Sequence, residues 1–147
     1  MSVAYFPVLF PEIPGYDPSV FVSGKALAHA MPALDLLAHE LGVPELMSFY
    51  SESLAESFGH IGEEVPDDML ETPITWTDAE DGLHTVRAIV QHLLTCVGVP
   101  LLVKDPSNCR PDETVVWERV FEDLKQLETV LVTAKNHGSK FRLKIDM

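Results

Sequence analysis

The sequence predicts an α+β protein: an antiparallel helical bundle of three long helices plus a short one, with a small sheet formed by the N- and C-terminal strands. Three observations predict it. Apolar residues recur at alternating spacings of three and four along three long stretches, the period of a one-faced helix. The closing "KFRLKIDM" alternates residue by residue, and the opening "VAYFPVLF" is its natural β-rich partner. No repeat or linker divides the chain, so residues 1–147 read as a single domain.

Taken in order, the N-terminal strand carries Pro7, which lacks an N–H and confines the strand to an edge or a bulge. "SGKALAHAMPALDLLAHELG" follows, with Leu27, Met31, Leu34, Ala38 and Leu41 on one face and Gly42 as its stop. Ser23 reads as its N-cap, and Pro32 is expected to kink this helix or displace its start. A shorter pair of turns is expected from Glu45 to about Phe58, where Ser53 and Glu56 have capping-box spacing. Residues 59–73 hold five acids and two prolines and read as a solvated loop.

A second long helix begins near Asp78, with Ala79, Leu83, Val86, Val90, Leu93 and Val97 on its stripe. After a Pro-containing loop (98–111), the third runs from about Asp112 to His137 with Trp117, Val120, Leu124, Leu127, Leu131 and Ala134 aligned. Pro111, Asp112 and Glu113 suit its start, and Gly138 supplies the left-handed stop. Matching stripes predict antiparallel packing of these two helices. The last strand places Phe141, Leu143 and Ile145 on one side and Lys140, Arg142, Lys144 and Asp146 on the other, a half-buried pattern.

Composition narrows the function. With 46% hydrophobic and 22% charged residues the chain is globular in character, and no apolar run approaches the ~20 residues that cross a bilayer. The N-terminus lacks a basic start and is cut by Pro7, Pro11 and Pro14, a poor signal peptide, so a cytoplasmic location is expected. Cys96 and Cys109 form no CxxC pair and are expected to be free thiols, Cys96 in the core and Cys109 beside Arg110. Residues 1–103 hold two basic and fifteen acidic residues, whereas 104–147 hold eight of each. The whole net charge of −13 therefore arises in the first two thirds. Such a chain repels phosphate backbones, which disfavours nucleic acid and leaves ordinary solubility or a basic partner steered in by the field.

The densest polar stretch is "TWTDAEDGLHTVR", residues 75–87. Thr77 and Glu80 have capping-box spacing, and Asp78, Glu80 and Asp81 fall in the first turn, where the helix dipole favours negative charge. Glu80 and Asp81 also lie four and three residues before His84, within reach of a local ion pair. A helix start thus accounts for these groups without catalysis. Gly82, inside a helix at a cost of ~1 kcal/mol relative to Ala, marks a close approach by another element or a ligand. A metal would need three or four converging ligands, and Asp81 and His84 supply two, so no metal and no cofactor is expected. Gly24-Lys25 lacks the rest of a Walker loop, with Ser19 and Ala26 at the decisive places, and GxSxG and GxGxxG are absent. Phe49, Tyr50, Phe58, Trp76 and Trp117 read as core or rim.

Four fragments taken together resemble a family of small, uncharacterised bacterial proteins: "GKALA" (24–28), "LGVPELMSF" (41–49), "WTDAEDGLHTVR" (76–87) and "EDLKQLETVLVTAKNHGSKFRLKID" (122–146). The resemblance implies a bacterial cytoplasmic protein and carries over no activity, cofactor or catalytic residue. Pro32 departs from the pattern.

The leading expectation is a non-enzymatic, acidic interaction module of immunity or regulatory type, with Glu63, Glu64, Asp67, Asp68 and Glu71 as contacts for a basic partner. The alternative is a small hydrolase or metal-dependent enzyme centred on Asp81, His84 and Arg87, with His84 as acid–base group and Arg87 as anion clamp. A third reading is a homodimer that buries surplus apolar helix face between copies.

Overall fold

The computed structural model of the chain describes residues 3–66, 73–95 and 117–146. Among the described residues, four α-helices and a small three-stranded antiparallel sheet make an α+β fold, with the N- and C-terminal strands paired as expected. β1 (Ala4–Phe10) runs antiparallel to β3 (Lys140–Asp146), from Ala4 opposite Asp146 to Phe10 opposite Lys140. The short β2 (Thr77–Asp78), which hydrophobic patterning does not reveal, lies on the other side of β3 and makes the C-terminal strand the central one.

Pro7 explains the placement of β1 at the edge. The Tyr5 N–H turns away from β3 to the Gly24 carbonyl at 3.1 Å. Pro7, two residues on, shares that orientation, so its missing donor falls where β3 needs none. The approach is tight: a Cβ at Gly24 would stand 1.9 Å from the Tyr5 carbonyl oxygen, and Gly24 has φ 71°. Only glycine fits.

α1 (Lys25–Leu41) starts at that glycine and ends at Gly42 with φ 72°. Pro32 neither displaces the start nor ends the helix; it stands on the exposed side, where water can replace the lost backbone bond. The N-cap is Gly24, which offers no side chain, and not Ser23, whose N–H donates to Gln126 Oε1 at 3.3 Å. The missing cap comes from elsewhere in the chain: Asp123 Oδ2 accepts the Leu27 N–H at 3.1 Å.

The stretch expected to form one pair of turns is interrupted. A 3-10 turn (Leu46–Phe49) gives way at Tyr50, which forms a parallel bridge to Leu143, before α2 (Leu54–His60) begins. The Ser53–Glu56 capping box that opens α2 is present with both of its bonds at 3.1 Å.

α3 (Ala79–Thr95) buries Ala79, Leu83, Val86, Ile89 and Val90, the expected stripe as far as Val90 with Ile89 added, and Leu93 is half-buried. α4 (Trp117–Asn136) buries Val120, Leu124, Leu127, Val130, Leu131 and Ala134, and Gly138 follows it at φ 69°. Cys96, Val97, the loop 98–111, Cys109 and the start signals Pro111 to Glu113 lie outside the described residues. α1 packs on both α3 and α4, and the sheet sits against α4. Leu27, Leu34, Leu46, Val86, Leu124, Leu127, Phe141 and Leu143 are all buried at this junction. Each side chain contributes roughly 1.5–3 kcal/mol of apolar burial. Among the described residues no helix is long and apolar enough to cross a membrane.

β3 departs from its expected alternation at one position. Phe141 and Leu143 face the core, but Arg142 is buried as well, at 6% exposure. The reason is that residues 50–56 and the Trp76 ring cover the face that the pattern assigned to solvent.

Candidate functional site

Among the described residues, two places gather polar side chains. The first is the start of α3. Asp81, His84 and Arg87 all stand exposed on this helix, as does Glu80. The carboxylates flanking Ala79 reach away from their own helix: Glu80 pairs with Lys135 of α4 at 2.9 Å, and Asp78 lies 3.6 Å from Lys140 of β3. The hydrogen bonds to Lys135 hold the Glu80 carboxyl below its ordinary range. Arg87 stands 3.8 Å from Glu128, a loose surface pair. Among the described residues, no ion pair joins His84 to Glu80 or Asp81, and no three His, Cys, Asp or Glu side chains converge as a metal centre requires. Gly82 is the only buried position of this group. A Cβ there would meet Phe141 Cζ at 2.5 Å and Leu131 Cδ1 at 3.0 Å, so the glycine lets α3 lie close to β3 and α4. The close approach is made by neighbouring elements.

The second gathering is the cluster between α2 and β3, and it is the more constrained. Glu56 sits one turn into α2 because the capping box fixes it there, and its two oxygens serve four donors. Oε1 accepts the Ser53 N–H at 3.1 Å and Arg142 Nη1 at 3.0 Å; Oε2 accepts Arg142 Nη2 at 3.1 Å and Lys144 Nζ at 2.7 Å. Arg142 also donates to the Ser51 carbonyl at 2.8 Å and stacks 5.3 Å from the Trp76 ring centre. Its Nε is buried without a hydrogen-bond partner.

Beside it lies Glu52, whose side chain is almost fully enclosed. Oε1 accepts the Ile145 N–H at 2.9 Å, and both oxygens face His60 Nε2 at 3.1 and 2.9 Å. The Ser51 N–H donates to the Leu143 carbonyl at 3.2 Å. Beyond the reach of the two-residue β2, this edge of β3 is therefore closed by one main-chain bond and one carboxylate. Such closure denies the edge to a foreign strand.

Proton affinities follow from these contacts. Burial works to raise the Glu56 carboxyl, but the Arg142 and Lys144 hydrogen bonds outweigh it and hold the group down to about 2. Burial first, and then the charge and hydrogen bond of Glu52, push the Tyr50 hydroxyl up to about 12. Near neutral pH Glu56 is thus a poor base and Tyr50 a poor acid. Every oxygen of Glu56 is already occupied.

Patterning alone misses this cluster. Arg142 reads as one of three cations on a solvent face, and Glu52 belongs to no motif. The capping-box spacing locates Glu56, but nothing in the spacing reveals that β3 returns beside it from 86 residues away. Of the acids expected to meet a partner, Glu63 and Glu64 are exposed just past α2, whereas Asp67, Asp68 and Glu71 lie outside the described residues. No family model, curated protein or solved structure matches the chain. Function must therefore be read from these surfaces.

Proposed function

We propose that this chain is an acidic, non-catalytic protein-interaction module, of immunity or regulatory type, that receives a basic partner. One observation carries the reading. Six of the ten basic side chains, Arg87, Lys125, Lys135, Lys140, Arg142 and Lys144, are engaged with carboxylates of the chain itself. Meanwhile Glu12, Glu40, Glu45, Glu63, Glu64 and Asp81 stand exposed. The surplus of thirteen negative charges is left to act outward, raising encounter rates with a cationic surface and setting its register. Glu63, Glu64, Asp67, Asp68 and Glu71 remain the proposed contacts, because no other stretch concentrates so many acids without a base.

The enzyme alternative finds less support, since Asp81, His84 and Arg87 share an exposed helix surface that does not exclude water. Affinity capture from the source cell at low and high salt tests the proposal, with the natural chain and a variant carrying lysine at all five acidic positions as baits. A basic partner retained at low salt by the natural chain and lost by the variant is the expected result. Equal capture by both baits, or none by either, removes the idea.

A further inference from the structure

We propose that Arg142, Lys144 and the Trp76 ring form a carboxylate-binding site that Glu56 fills from within the chain, and that an isolated carboxylate on a ligand, such as a polypeptide C-terminus, competes with α2 for it. The inference stands apart from the acidic-surface reading, since it concerns a cluster in which two cations, one of them buried, hold a single carboxylate.

The arrangement on β3 is that of a receptor. Arg142 and Lys144 are two residues apart and project to the same face. They converge on a single carboxylate, with the guanidinium fork meeting it end-on through both Nη atoms and the ammonium closing from the side at 2.7 Å. Trp76 backs the guanidinium with its ring face, which holds the fork flat. Arg142 retains an unspent donor: its Nε is buried without a partner while the residue as a whole is 6% exposed. Glu52, the other carboxylate nearby, is committed to His60 and the Ile145 N–H.

The occupant, by contrast, is carried on an element that contributes no residue to the core. α2 has seven residues, and none of them is buried. Among the described residues, its ties to β3 are the Glu56 pairs, with His60 reaching back to Glu52. An element attached through charge lies at the low-stability end of a fold and opens before the core does. The ligand's character follows from the surroundings. A net charge of −13 repels polyanions, whereas a lone carboxylate on an otherwise neutral chain incurs little of that repulsion.

The test uses acetyl-tetraalanine with a free C-terminal carboxylate, and the same peptide as its C-terminal amide. Trp117→Phe leaves Trp76 as the only tryptophan of the chain's two. In that background, Glu56→Ala is expected to bind the acid with a saturable change in Trp76 fluorescence, at least about tenfold tighter than the amide. Glu56→Gln, which keeps the side chain's volume, covers the case in which the alanine variant does not fold. In the natural chain, the acid but not the amide is expected to speed hydrogen exchange at the amides of residues 54–60 while α4 stays protected. Equal responses to acid and amide in both variants would overturn the site. Binding by the variants with the α2 amides of the natural chain unmoved at saturation would overturn the competition.

Discussion

The Asp123 carboxylate of α4 caps α1 across 96 residues of sequence, accepting the Leu27 N–H at 3.1 Å. Burial raises the proton affinity of this carboxyl, and the backbone donors only partly offset that. The folded chain therefore holds the Asp123 proton more firmly than the unfolded chain does. The group's contribution is largest in acid and shrinks as pH rises above the ordinary value of 3.8.

Asp123→Ala strands the donors at the helix start and is expected to cost about 1–3 kcal/mol. Asp123→Asn keeps an acceptor without the buried charge and is expected to match or slightly exceed the natural chain at neutral pH. Denaturant titrations of both variants between pH 4 and 7 check this. A larger loss for asparagine than for alanine would contradict the capping role.

Glu56 titrates with the opposite sign. Its folded value of about 2 lies below the ordinary 4.5, so its contribution is complete above 4.5 and fades as pH falls toward 2. Glu56→Gln is expected to lower stability by about 2 kcal/mol at neutral pH through the loss of charge-assisted bonds to Arg142 and Lys144. The gap between variant and natural chain should close on acidification. A gap independent of pH would mean that packing, not charge, holds α2.

Gly82→Ala pits helix propensity against packing. Alanine gains about 1 kcal/mol in an α-helix, yet its Cβ would lie 2.5 Å from Phe141 Cζ. Phe141 is fully buried and tilted against Phe49 at 5.2 Å, so it has little room to yield. Overpacking of ~1–3 kcal/mol is expected to win, giving a net loss. Pairing it with Phe141→Leu should recover part of that loss, so the double variant is expected to be more stable than the two single effects added together. Thermal melts of the four chains decide it.

His84→Ala and Arg87→Ala are expected to change stability by no more than about 0.5 kcal/mol, since both side chains are exposed. A thermal-shift screen of the natural chain with zinc, manganese, magnesium and phosphorylated metabolites is expected to be flat. Stabilisation by any of these that disappears in His84→Ala would restore the enzyme reading.

How much of this was legible beforehand varies by element. The stripes of α1, α3 and α4 and the pairing of the chain ends follow from periodicity, save for Leu41, which is exposed at the end of α1, because burying an apolar face is a local demand that recurs at every turn or every second residue. Pro7 at an edge and Gly42 and Gly138 as stops follow equally, since each answers a constraint on its own backbone. The interruption at Tyr50 and the strand at Thr77–Asp78 do not, because a two-residue ladder carries no period.

The candidate cluster was half legible. Ser53 and Glu56 announce a cap, but the same glutamate also holds Arg142 and Lys144. Their alternation with apolar residues is indistinguishable from that of solvent-facing charges. Thr85 makes the same point: a fully buried threonine on α3 donates to the Pro44 carbonyl at 2.7 Å, a partner no spacing could name.

By itself, then, the order of residues determined the α+β class, the helical faces, the edge position of β1 and a strongly negative net charge. Each of these depends on properties that neighbours along the chain share. Which carboxylate caps α1, which one closes the edge of β3, and which cations are withdrawn from the surface were decided only when distant segments met. Hydrogen bonds and ion pairs act over a few ångströms in space and are indifferent to separation along the chain. A charge read as solvated becomes buried as soon as another segment covers it.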